Sequence, residues 1–264
     1  MFYTFASIIN RLAFDTYFNC QLSIVNCQLL NIETSTSVCS VALSMDGEVL
    51  FAKASFDGPS HAALLGVFVE EALSVLKKKG KKALDAVAVS SGPGSYTGLR
   101  IGVSVAKGLC FGFGIPLIGI HTLDIMAATV NSKGDSQIVS ITDDCLYCAM
   151  LDARRMEVYA AIYDASLKPV RETKADIVEA GTYASYLEKG KVCFFGNGAS
   201  KCKSVITSPN AIFIEDIHPL AVNMIPLSEQ AFAAGKFEDT AYFEPFYLKE
   251  FQATVAKNKV LLAR

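Results

Sequence analysis

The residues best placed to do chemistry cluster around three glycines. From Ser90 to Gly98 the chain reads SSGPGSYTG, with Gly92, Gly94 and Gly98. Val87, Ala88 and Val89 end a short apolar run ahead of them, and from about Thr97 the pattern becomes helical. A strand, a Gly-rich turn and a helix bring free backbone N–H groups to one point, where an anion can sit. Ser95 and Thr97 add hydroxyls there. Glu33, Thr34 and Ser35 form a second polar group at an earlier turn, and beside a nucleotide an acid there could hold a hydrated magnesium ion. Each reading has a plainer rival. A tight strand-to-helix connection needs the same glycines, and turn hydroxyls satisfy backbone groups. The loop also departs from both nucleotide fingerprints. Leu99 and Arg100 follow Gly98 where a P-loop needs Lys and then Ser or Thr, and Thr97 occupies the place of the third dinucleotide Gly.

Other chemistries find little support. His61, His121 and His218 are far apart, so no helical pair of histidines can hold a metal, and each reads as a surface or capping residue. Cys145 and Cys148 lie in a strand-like run whose spacing points them to opposite faces, and they have no partner pair. The eight cysteines read as reduced thiols of a cytosolic protein. Neither a Ser–His–acid nor a two-His protease arrangement is visible.

The helix after the loop carries its own signal. Gly98, Gly102, Ala106 and Cys110 fall four apart and share a face, and Ser104, Gly108 and Gly112 form a second row of small residues. Glycines in a helix cost about 1 kcal/mol each relative to Ala. Close packing offsets that cost, so this helix is either central to the core or part of a helix–helix interface.

Around it the chain alternates strands and helices. Leu30–Glu33, Val38–Ser44 and Val49–Ala54 read as three antiparallel strands, the last two joined by Asp46–Gly47. Ser60 is placed to cap a helix on which Leu65, Val69, Leu73 and Leu76 recur. That helix ends in Lys77, Lys78 and Lys79, with Lys81 and Lys82 beyond Gly80. Such a run suits a helix C-terminus and a solvated loop, or else one edge of an RNA-facing surface shared with a partner. Leu84–Val89, Leu117–Ile120, Ile138–Thr142, Cys145–Leu151, Glu157–Tyr163, Val192–Phe195 and Ala211–Glu215 read as further strands. Leu123–Val130, Tyr183–Leu187, Ser200–Val205 and Leu220–Gly235 read as helical. The strand–Gly turn–helix units at 84–110 and 191–206 suggest two related lobes. Residues 1–28, with their near-duplicate NCQLSIV and NCQLLNI, read as an extension outside the fold. A net charge of −2 and a pI of about 6.0 argue against strong nucleic-acid binding by this chain alone. No apolar run reaches the roughly 18 residues of a membrane span.

Three segments, LLNIETSTSVCSVAL, SSGPGSYTGLRIGVSVAKGL and LDARRMEVYAAIYD, resemble the TsaB (YeaZ) family. These are dimerisation subunits of the bacterial machinery that makes threonylcarbamoyladenosine beside the tRNA anticodon. Pro245-Phe246-Tyr247-Leu248 is similar to the family's terminal PxYL element, and the likeness spans about residues 29–250. It implies an α/β, actin-like ATPase (ribonuclease H-like) fold with two lobes of mixed sheet flanked by helices. On that pattern residues 29–126 form the N-terminal lobe, completed by a helix near 220–236. Residues 127–221 form the C-terminal lobe, and 237–264 an arm and tail.

The resemblance further implies a cytoplasmic, non-catalytic relative of TsaD, forming a homodimer alone or pairing with TsaD through helices at roughly 61–79 and 97–112. TsaD holds its metal with paired histidines, whereas here Leu65 stands four residues after His61. Contacts are then expected at Leu65, Val69, Leu73, Gly98, Arg100, Ile101, Gly102, Val103, Ala106 and Lys107. The ATPase TsaE would join the complex and tRNA would be met indirectly. No cofactor is expected for this subunit alone, ATP or ADP and magnesium being expected only in the complex if at all; Glu33, Thr34, Ser35, Gly92, Gly94, Ser95 and Thr97 are the candidate anion or nucleotide loop read from the residues above. The family usually has Asp where Glu33 stands. The alternative is an ATP-dependent phosphotransferase or hydrolase of the same superfamily.

Overall fold

A computed structural model describes residues 27–58, 60–80, 83–132 and 145–248. The expected strand 138–142, Lys81, Lys82, the tail and nearly all of the expected extension lie outside them. Cys27 and Gln28 belong to the fold, because β1 runs Gln28–Glu33 and Cys27 is buried, its amide bound to Asp46 Oδ1 at 2.9 Å.

Two five-stranded sheets are built on one plan. In the first, β1 sits between β2 (Cys39–Met45), which continues antiparallel to β3 (Glu48–Ser55), and β4 (Ala86–Gly92), which continues parallel to β5 (Leu117–His121). In the second, β6 (Leu146–Asp152) sits between β7 (Glu157–Tyr163), leading to β8 (Pro169–Ile177), and β9 (Val192–Phe195), leading to β10 (Ala211–Ile214). Both sheets therefore place their strands in the order third, second, first, fourth, fifth, with the same mixture of directions. β8 escapes the sequence reading because it is an edge strand on which charged residues interrupt the apolar ones: Arg171, Glu172, Lys174 and Asp176 stand among nine residues.

Each sheet is covered on both faces. Leu30 and Ile32 of β1 point to α1 (His61–Lys78) and α2 (Tyr96–Phe113). Leu29 points the other way, towards Ile125 of α3 (Thr122–Ser132) and Ile225 of α5 (Ile225–Ala233). α3 is shared. Its Ile125 packs on the first sheet, whereas Leu123, Met126, Ala127 and Val130 pack on Ala149, Leu151 and Phe195 of the second. The far face of the second sheet is closed by Tyr183, by Leu187 of α4 (Ala184–Leu187), and by Cys202.

Several local expectations change. The helix expected over 220–235 is a 3-10 turn at Ala221–Met224 followed by α5, with Pro226 in its first turn, where a missing N–H costs nothing. Only Ser200–Cys202 of the expected 200–205 helix is helical, as a 3-10 turn. Ser60 stands at the start of α1 without capping it by its side chain; its hydroxyl turns back to the Gly58 carbonyl, while its own carbonyl accepts from Ala63 and Leu64. His61 is buried rather than on the surface, its Nε2 lying 3.2 Å from the Val38 carbonyl oxygen. The seven described cysteines are buried, and no disulfide joins them.

Candidate functional site

The Gly-rich loop meets the polar turn after β1, and the contact is one of backbones. Ser95 begins α2, and its Oγ accepts from the Gly98 amide at 3.2 Å. The Ser95 amide donates to the Ser35 carbonyl at 2.6 Å. Thr34 Oγ1 donates to the Gly98 carbonyl at 2.9 Å. A Cβ at Gly94 would stand 2.4 Å from the Ser35 oxygen, one at Gly98 2.1 Å from the Thr34 oxygen, and one at Gly102 2.2 Å from Thr34 Oγ1. The glycines thus let the β1–β2 turn lie directly on the first two turns of α2. The inner side of the loop is filled by this chain's own Thr34 and Ser35. Ser95 and Thr97 are exposed on the outer side, where an anion would have to approach.

Glu33 lies beneath this contact and is fully buried. Its Oε1 accepts from the Ser35 amide at 2.5 Å, and Oε2 has no hydrogen-bond partner. Burial drives the carboxyl up to about 7, against the opposing pull of hydrogen bonds from Ser35 and Ser90. A carboxyl so placed keeps its proton well above the usual carboxylate range and is about half ionised at pH 7, which weakens it as a cation ligand.

The arm after α5 braces the loop from the other side. The Phe246 amide donates to the Ser91 carbonyl at 2.6 Å, and a Cβ at Gly92, whose φ is +109°, would stand 2.6 Å from the Phe246 oxygen. Tyr247 lies against Tyr96 with ring centres 5.1 Å apart, and the Tyr96 hydroxyl accepts from Arg100 at 2.5 Å. Lys107 donates to the carbonyls of Ala241 and Phe243 at 3.0 and 3.1 Å, so it holds the arm.

The second sheet repeats the arrangement. Like Glu33 in β1, Asp152 is the last residue of the central strand. The Gly196–Gly198 turn packs on the end of β6: the Asp152 amide donates to Asn197 Oδ1 at 2.9 Å, and a Cβ at Gly198 would stand 2.8 Å from the Leu151 carbonyl carbon. Lys201 pairs with Asp152, whose carboxylate also accepts from the Arg154 amide at 3.0 Å. Both strand-end acids are therefore engaged by their own chain. The sequence reading missed Asp152, although the repeat of strand and Gly turn marked its position.

The expected contact residues divide between core and surface. Leu65, Val69, Gly98, Gly102, Val103 and Ala106 are buried, so the small-residue face of α2 packs on β1 and β4 and cannot meet a partner. Leu73 and Ile101 are half-buried at the margin, and Arg100 is exposed. The outward face is instead made of Ala62, Ala63, Gly66 and Val67 of α1 with Ser104, Gly108, Phe111 and Gly112 of α2. Phe111 is 88% exposed and Val67 47%. A shallow groove between the two helices is lined by Ala62, Thr97, Arg100, Ile101, Ser104 and Val105. The signal for this face was the second row, Ser104, Gly108 and Gly112.

Comparison with known proteins follows the same outline. The family model described as TsaD, tRNA N6-adenosine threonylcarbamoyltransferase, matches residues 57–257. The tRNA threonylcarbamoyladenosine biosynthesis protein TsaB of Escherichia coli K12 is 31% identical over 233 residues, 84% of this chain and 94% of that protein. TsaB of Bacillus subtilis is 28% identical, over 67% of this chain and 74% of its own. YeaZ from Pseudomonas aeruginosa superposes with a TM-score of 0.66 at 25% identity, covering 83% of this chain and all of that one.

Proposed function

This chain belongs to the TsaB (YeaZ) family, and from that membership we propose that it is a non-catalytic scaffold in the making of threonylcarbamoyladenosine in tRNA. Its partner in this reading is a TsaD homologue, held by the outward face of α1 and α2 in a conformation competent for transfer. The observation that carries the reading is the pairing of an open apolar face with strand-end acids that their own chain engages. Small residues let another helix approach closely, and Glu70, Lys77 and Arg100 are exposed charges along that face. Meanwhile Glu33 is buried beneath its own turn and Asp152 is tied to Lys201.

On this reading the subunit works in the cytoplasm and forms a homodimer when alone. ATP or ADP and magnesium enter only once the complex has formed, with TsaE as the ATPase, and the outer side of the loop at Ser95 and Thr97 is where a phosphate could then arrive. tRNA is met through the complex. The chain's contribution is differential binding, since it must favour one state of its partner over another.

A reconstituted modification assay tests this. Adding the chain to its TsaD homologue should raise tRNA modification well above that of either protein alone. Glu33→Gln should support modification as well as the wild type. The rival reading, an ATP-dependent phosphotransferase or hydrolase, predicts instead that the isolated chain turns over ATP and that Glu33→Gln abolishes it.

A further inference from the structure

The C-terminal end of α1 carries three lysines that no ion pair holds among the described residues. Lys77, Lys78 and Lys79 are consecutive and exposed. No ion pair or side-chain hydrogen bond engages them among the described residues, where four ion pairs occupy other lysines and arginines. The helix offers them no acid. Residues three and four before Lys77 and Lys78 are Leu73, Ser74 and Val75, and the nearest acids, Glu70 and Glu71, lie further back. Glu71 is already bound to Lys53 at 2.7 Å.

Cations in the last turn complement the negative end of a helix. Three adjacent ones repel one another, and in a chain of net charge −2 they form a local basic point. α1 begins beside the turn after β1, where His61 meets Val38, and so its lysine end lies at the opposite end of the first sheet from the Gly-rich loop. The same helix supplies Ala62, Gly66 and Val67 to the outward face. A partner seated there leaves the lysines at the rim of the joint surface.

We propose that Lys77, Lys78 and Lys79 bind backbone phosphates of the RNA substrate, so that this subunit contributes directly to holding tRNA. The inference rests on the proposed pairing with a TsaD homologue. Flexible lysines placed at a rim suit phosphates, which position a nucleic acid without reading its sequence. A chain with little net charge gains such binding only where its lysines cluster, and the binding is then sensitive to salt through counterion release.

The test is a titration of an unmodified tRNA transcript with the complex of this chain and its TsaD homologue, followed by fluorescence anisotropy from about 50 to 200 mM salt. The variant carries Lys77→Gln, Lys78→Gln and Lys79→Gln, all at exposed positions. Light scattering establishes that it pairs like the wild type. The variant should bind the transcript roughly tenfold or more weakly, and the slope of log affinity against log salt should fall by about 2 to 3, near 0.9 for each phosphate no longer neutralised. Equal affinity and an equal slope would overturn the proposal. So would a loss confined to vesicles rich in phosphatidylserine, which would assign the lysines to a lipid surface. If no complex forms, the pairing reading fails separately, and the same titration on the chain alone decides the lysines: weaker binding in the variant upholds them, and no difference removes them.

Discussion

Gly98→Ala is expected to destabilise this protein by about 3 kcal/mol or more, although it replaces a helical glycine by the best helix former. Propensity alone would favour the change by up to about 1 kcal/mol. Position decides against it. The added methyl would stand 2.1 Å from the Thr34 carbonyl oxygen, a backbone atom of the turn that directly follows β1, so the helix or the turn must move. Overpacking against side chains commonly costs about 1–3 kcal/mol, and a backbone obstacle is less forgiving. The same shift would stretch the Thr34 to Gly98 and Ser95 to Ser35 hydrogen bonds. Gly108→Ala provides the control within the same helix, since nothing lies within 4 Å of its added methyl. It should be neutral or stabilising by up to about 1 kcal/mol. Opposite signs in denaturant midpoints establish that the first row of glycines serves this chain's own packing. Equal and small effects would show that the first row has no structural role. Gly102→Leu belongs with Gly98→Ala: it would meet Thr34 Oγ1 and fail by misfolding rather than by parting two subunits.

The second large effect concerns Glu33. Its carboxyl titrates near pH 7 in the folded chain against about 4.5 when unfolded. Between those values the folded state keeps a proton that the unfolded state has lost. Stability from this group is therefore complete below about pH 4.5 and is lost as pH rises through 7. The whole change is about 3 kcal/mol, at about 1.4 kcal/mol per pH unit. Glu33→Gln keeps the shape and the acceptor for the Ser35 amide but cannot ionise. The variant should match the wild type in mild acid and exceed it by about 3 kcal/mol at pH 8. Guanidinium unfolding of both proteins across that range measures the difference. A wild-type advantage at pH 8 would mean that the carboxylate form is the one the fold wants, and would return Glu33 to consideration as a cation ligand.

Much of the first sheet was legible because its signals are local. Asp46–Gly47 fixes a hairpin, and the apolar run Ala86–Val89 that opens β4 announces a strand covered on both faces. The Gly-rich loop was legible as a place of close approach, but not what approaches. Glycine spacing reports that something lies near, and only the fold shows that Thr34, Ser35 and Phe246 are the neighbours. The Gly98–Gly102–Ala106 side of α2, expected to meet a partner, packs inside the chain instead, for a related reason. Both rows, Gly98–Gly102–Ala106 and Ser104–Gly108–Gly112, are small, and small residues mark an interface inside a chain as readily as one between chains. β8 was lost because its alternation is carried by charged residues at a sheet edge. The pairing of Asp152 with Lys201 joins residues far apart in sequence, an interaction no local pattern encodes.

The proposed seating of a TsaD homologue on the outward face of α1 and α2 is decided by light scattering coupled to size-exclusion chromatography, on the wild-type chain and on Val67→Arg with Ser104→Arg, each mixed with that homologue. Both positions are exposed, so the variant should fold and melt like the wild type. The wild type should give the mass of a one-to-one complex, and the variant the masses of the separate chains. A complex of unchanged mass and affinity in the variant would place the partner elsewhere on this protein and contradict the account.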